Sequence, residues 1–138
     1  MTNSVVIMSQ FVVEDVVIGT GKAAERGALI TAQYTGRLAD GTIFDASHEH
    51  GFECVIGTGR VIKGWDLGVL GDKIGQKLCE KWGIELDLPT FEPMRVGGTR
   101  RLVVPAHLGY GERHVGKIPP HSDLYFEIAL LQVKTRDD

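Results

Sequence analysis

Apolar and polar positions along this chain fall mostly into short blocks of β-branched or alternating residues, separated by turns rich in glycine, proline and aspartate. Phe11 to Ile18 is dense in valine and stops at Gly19-Thr-Gly21, which predicts a strand closed by a turn. Ala28 to Leu38 alternates apolar with polar, Asp40-Gly41 supplies a turn, and Thr42 to Asp45 follows, so a hairpin is expected there. Phe52 to Ile56, Thr99 to Val104 and Leu124 to Val133 predict three further strands, with strand structure resuming near Met94. Pro105 ends the second of these, because it has no amide to donate to a ladder. Two stretches change period. Val61 to Leu70 places apolar residues at helical spacing and reads as one short buried helix. From Asp72 to Pro93, Ile74, Leu78 and Trp82 recur every fourth residue, predicting an amphipathic helix that ends at Gly83. Hairpins with a helix on one face of an antiparallel sheet make an α+β architecture.

Length and charge narrow the field. A chain of 138 residues suits a single domain over 1–138, and such a domain buries about two-thirds of the surface its unfolded chain exposes. Cys54 and Cys79 lie far apart, outside any Cys-x-x-Cys spacing, which argues against a disulfide framework or a zinc ribbon and for a reducing compartment. A formal charge of -3 with scattered lysines and arginines offers no stripe for a phosphate backbone, so nucleic acid is excluded as a ligand. Residues 1–10 have no basic residue before their short apolar run and no small-residue cleavage site after it, and no apolar run reaches the roughly 18 residues of a membrane span. A cytoplasmic protein away from membranes is expected.

Several apparent motifs lead nowhere. Gly19-Thr-Gly-Lys-Ala-Ala24 matches a dinucleotide fingerprint, but a strand follows where that site needs a helix. His48-Glu-His50 has no further ligand at metal spacing and reads as a solvated loop. His107, His114 and His121 sit in a glycine- and proline-rich stretch that cannot hold helical phase. No metal and no cofactor is expected. Gly-x-Ser-x-Gly is absent, so covalent hydrolysis lacks support.

What remains is a series of segments in a fixed order: Tyr34-Thr-Gly36, Asp40-Gly41, Phe44-Asp45, Val61-Ile-Lys-Gly-Trp65, Gly109-Tyr-Gly111 and Ile118-Pro-Pro-His121. Together they resemble the FKBP family of peptidyl-prolyl cis-trans isomerases, from about Phe11 to Lys134, interrupted only by residues 72–93. That resemblance implies a sheet of five or six antiparallel strands curled around one short helix, with 72–93 as an insertion carrying an extra helix. The insertion is expected to pack on the sheet, with a protein-partner surface as the competing use. It implies a catalytic set of Tyr34, Phe44, Asp45, Trp65, Tyr110 and Phe126, with Trp65 as the pocket floor. Phe52, Val61, Ile62 and Ile118 are implied as binding positions for substrate or macrolide. The Ile62 amide and the Tyr110 hydroxyl are implied as donors to ligand carbonyls, and Asp45 as an orienting group rather than a base. The implied partners are proline-containing polypeptides, whose folding the protein assists, and macrolides of the tacrolimus and rapamycin type.

The chemistry fits such a pocket. Rotating a prolyl peptide bond faces a barrier of about 18–20 kcal/mol because amide resonance is lost on the way. The twisted state is less charge-separated than the planar one, so a dry aromatic cage favours it without moving any atom between molecules. A binding module that holds proline without turnover is the competing reading, and the presence of both Trp65 and Tyr110 favours the enzyme. Three departures from the family pattern bear on ligand preference: Gln33 before Tyr34, Cys54 on the strand after Phe52, and a Glu112–Lys117 loop about one residue short.

Overall fold

The computed structural model describes residues 10–138; the reading of residues 1–9 as lacking a cleavable leader lies outside them. Six strands form one antiparallel sheet: β1 (Val12–Val17), β2 (Leu29–Arg37), β3 (Ile43–Ala46), β4 (Phe52–Val55), β5 (Thr99–Val104) and β6 (Leu124–Lys134). Their order is β1-β5-β6-β2-β3, and β4 shares the outer edge of β2 with β3. The ends of β2 divide that edge: Leu29 to Ala32 pair with β4, and Thr35 to Arg37 with β3. The strand predictions hold in place and type, except at one end. No strand begins near Met94; Arg95 makes an isolated bridge to Ala23, and Gly97, at φ 93°, with Gly98 turns the chain before β5 starts at Thr99.

Alternation selects the buried face. Leu124, Phe126, Ile128 and Leu130 of β6 point inward, and the phase is then reset by a bulge, where Thr31 pairs with Gln132 but Ala32 with Leu130. The extra residue, Leu131, is left exposed.

Against this face lies α1 (Lys63–Leu70), in which seven of the eight residues are buried. It is apolar on all sides because it is covered on all sides. Two glycines let it approach β5: a Cβ at Gly64 would sit 2.4 Å from a Val104 methyl, and one at Gly68 2.4 Å from a Leu102 methyl. Arg100, 3% exposed, fastens the contact by donating from Nη1 to the Gly68 carbonyl (2.8 Å) and from Nε to Asp15 (2.7 Å).

The second helix, α2 (Asp72–Trp82), follows after Gly71 and ends at Gly83, whose φ of 71° places it in the left-handed region typical of a helix terminus. Gly75, Leu78 and Cys79 are buried; of the three residues whose four-residue spacing predicted the helix, Leu78 is buried and Ile74 and Trp82 are half-buried against the core. The apolar face packs on α1 and not on the sheet as expected, because α1 already covers the sheet here. Residues 84–93 return along the same side, with Leu88 beside Gly75 and Phe91 tilted against Phe11 at 6.1 Å. Among the described residues no helix is long and apolar enough to cross a membrane, and no three His, Cys, Asp or Glu side chains gather where they could hold a metal ion.

Candidate active site

Where α1 meets the concave face of the sheet, an open cavity of about 230 Å³ is left between them. Its floor is Trp65, 3% exposed and held on α1. Three rings meet that indole at nearly right angles: Tyr34 from β2 at 5.1 Å, Phe126 from β6 at 5.8 Å and Phe52 from β4 at 6.0 Å. Phe44 of β3 stands edge-on to Phe126 at 5.6 Å and extends the wall. Edge-to-face contacts of this kind fix ring orientations as well as bury area. Gly36 makes the last contact possible, since a Cβ there would come within 2.6 Å of the Phe44 ring and 3.0 Å of Phe126.

The polar rim is sparse. The Tyr34 hydroxyl donates to Asp45 Oδ2 at 2.6 Å, and Asp45 Oδ1 accepts the Ala46 amide at 2.9 Å. Burial, and then the hydrogen bond to the Asp45 carboxylate, push the Tyr34 phenol above its ordinary value, which favours the protonated, donating form. Both oxygens of Asp45 are thus engaged. On the opposite side, Val61 and Ile62 enter α1; Ile62 is its N-cap and its carbonyl accepts the Trp65 amide at 3.0 Å. Among the described residues no acceptor meets the Ile62 amide, which leaves it available to a ligand carbonyl. Tyr110, half-buried, completes the wall from the loop after the 3-10 turn at Ala106–Leu108.

The structure therefore brings together nine of the ten residues singled out from the sequence: Tyr34, Phe44, Asp45, Phe52, Val61, Ile62, Trp65, Tyr110 and Phe126. Ile118 is apart. It exchanges two backbone hydrogen bonds with Val115, at 3.0 and 2.8 Å, and its side chain, 4% exposed, belongs to the core and is not among the cavity's lining residues.

Two contributors escaped the sequence reading. Arg60 lines the cavity; its place directly before Val61-Ile62 was the available signal. Asp66, fully buried on α1, accepts the amides of Gly57 at 2.7 Å and Gly59 at 3.2 Å and so anchors the loop that presents Arg60 to Ile62. Burial pushes its carboxyl upward, opposed by those two hydrogen bonds and by Arg26. Its signal was a lone carboxylate inside an apolar helix, which demands partners.

Comparison with known proteins gives one answer. Residues 20–131 match the family described as FKBP-type peptidyl-prolyl cis-trans isomerase. A Neisseria meningitidis protein named FK506-binding protein is 39% identical over 129 residues, covering 91% of this chain and 98% of its own. FK506-binding protein 4 of Neurospora crassa is 37% identical over 134 residues, 96% of this chain, but the chain spans only 24% of that relative's length. Among solved structures, AtFKBP13 superposes with a TM-score of 0.72 at 35% identity, covering 90% of this chain and 93% of its own. A peptidyl-prolyl cis-trans isomerase of Pseudomonas syringae gives a TM-score of 0.65 at 27% identity, covering 91% and 76%.

Proposed function

The chain belongs to the FKBP-type peptidyl-prolyl cis-trans isomerase family, and from that premise we propose that it accelerates rotation about Xaa-Pro bonds in protein substrates in the cavity floored by Trp65. The observation that carries this is the aromatic enclosure itself: an open cavity of about 230 Å³ with five rings around it, Trp65, Tyr34, Phe44, Phe52 and Phe126, and polar groups at its rim.

The residues divide the work in a physically simple way. The rings desolvate the prolyl ring and its imide, which favours the twisted, less polar state over the planar one. The Ile62 amide and the Tyr110 hydroxyl donate to carbonyls of the bound chain and hold it in register. Asp45 holds the Tyr34 hydroxyl. A thousandfold acceleration needs only about 4 kcal/mol of selective stabilisation, within reach of desolvation and two hydrogen bonds. In this reading the same cavity accepts macrolides of the tacrolimus and rapamycin type, supported by the names of the relatives. The domain serves the folding of proline-containing polypeptides as a single unit over 1–138, with 72–93 as an insertion. A reducing compartment, the cytoplasm, suits Cys54 and Cys79, both buried and unpaired.

The test is cis-to-trans conversion of a Leu-Pro tetrapeptide with and without tacrolimus. Rapid conversion that the drug suppresses is expected. No acceleration by the folded protein would remove the enzyme reading and leave a proline-binding module.

A further inference from the structure

Beside the proline cavity lies a second cleft of about 420 Å³, and the two share Arg60, Val61, Ile62 and Tyr110 as a common wall. The rest of its lining sets it apart. Lys63 comes from the start of α1, Trp82 from the last turn of α2, and Arg113 from the loop after Tyr110. All three cations, Arg60, Lys63 and Arg113, are exposed, and among the described residues none forms an ion pair. Two are held in place by aromatic faces: the Lys63 ammonium lies 5.7 Å from the Trp82 ring centroid, and the Arg113 guanidinium 5.8 Å from that of Tyr110. Stacking of this kind orders a long side chain while leaving its N–H groups directed outward, where a carboxylate can meet them.

Among the described residues the only acid lining the cleft is Asp66, and it does not cancel the charge at the surface. It is fully buried, and its oxygens are taken by the amides of Gly57 and Gly59. A concentrated positive site thus stands on a chain whose formal charge is -3, and it continues directly from the cavity that takes proline.

We infer that this cleft, walled by Arg60, Lys63, Arg113 and Trp82, receives a carboxylate-bearing side chain close to the proline, so that the preferred substrates are segments with Asp or Glu beside the Xaa-Pro bond. The inference rests on the proline reading of the neighbouring cavity. It also gives the insertion a role in substrate choice, because α2 supplies the tryptophan that steadies Lys63.

The experiment compares matched Leu-Pro peptides with Glu, Gln or Lys at the positions flanking Leu-Pro on either side, using the full chain at low and high salt. The readout is the ratio of kcat/KM between the Glu and Lys peptides. A ratio of about ten at low salt is expected, on the scale of a few exposed ion pairs, and it should shrink as salt screens them. In a Lys63→Glu, Arg113→Glu variant the ratio should invert; because it is taken within each protein, a general loss of turnover divides out. Equal kcat/KM for Glu and Lys peptides in wild type would overturn the inference and leave the isomerase reading intact. If no peptide is turned over, the isomerase reading fails, and the same Glu-to-Lys ratio is read from dissociation constants by tryptophan fluorescence. A ratio of one there would overturn the inference.

Discussion

The two helices follow one another with only Gly71 between them, yet they obey different rules. In α1 seven of eight residues are buried, two glycines are pressed against β5, and the helix carries both the floor of the active site and the carboxylate that pins its rim. In α2 three of eleven residues are buried, Ile74 and Trp82 are half-buried beside them, and most of the remainder faces outward. A helix wedged between layers has no tolerant side, whereas one laid over it from outside has tolerance almost everywhere. Changes in α1 should therefore disturb stability and turnover together, and changes in α2 should disturb them separately.

The sharpest way to break this contrast is Trp65→Ala. Removing the floor of the cavity should cost about 3–5 kcal/mol in stability and lower turnover of a Leu-Pro peptide at least about a hundredfold, measured by chemical denaturation and isomerisation, with Trp65→Phe as a folded control. Next, Gly68→Ala drives a methyl to 2.4 Å from Leu102, which is itself 1% exposed and has nowhere to go. A loss of about 1–3 kcal/mol is expected in a urea melt.

Alkaline pH probes the same buried layer. The Cys54 thiol, on β4 beneath α1, is pushed from 9.0 to about 11, first by burial and then by Asp66. The folded state thus holds this proton more tightly than the unfolded one, so stability is intact below pH 9 and falls as pH climbs through 11. The loss by pH 11 should be of order 2 kcal/mol and should vanish in Cys54→Ala. Iodoacetamide should leave Cys54 unmodified in the folded protein at pH 8. Cys79 on α2 is displaced upward too, by burial alone.

A smaller effect is expected at the polar rim. Asp45→Ala releases the Tyr34 hydroxyl without opening the cage, so turnover should fall about tenfold and stay above one-thousandth of wild type. Smallest of all, Gly75→Ala on α2 should change stability by less than about 0.5 kcal/mol. Its Cβ would meet the Leu88 side chain at 2.9 Å, on an irregular segment that can yield, and a Leu67 methyl of α1 at 3.3 Å, a contact a few tenths of an ångström relieves, while the helix gains about 1 kcal/mol in propensity. A large loss there would erase the distinction between the helices.

Most of this organisation could be read from residue order. The valine-rich and alternating blocks named their strands because a half-buried sheet imposes period two, and Ile74, Leu78 and Trp82 named α2 and its end because Gly83 can adopt a left-handed turn. Nine cavity residues were identifiable through the family's ordered segments, not through periodicity, since Phe44, Phe52 and Trp65 would look the same in any core. The failures share a cause. Whether α2 lies on the sheet or on α1, whether Ile118 faces the cavity or the core, and how Arg60, Lys63, Trp82 and Arg113 converge are set by contacts between distant segments. Local spacing carries no record of those contacts.

The most direct test is nuclear magnetic resonance of the labelled protein with a Leu-Pro peptide. Exchange peaks linking the cis and trans peptide should appear, with the Ile62 amide and the Trp65 indole showing the largest shifts. Exchange peaks accompanied by shifts confined to another surface would contradict the assignment of the aromatic cavity as the place where the bond turns.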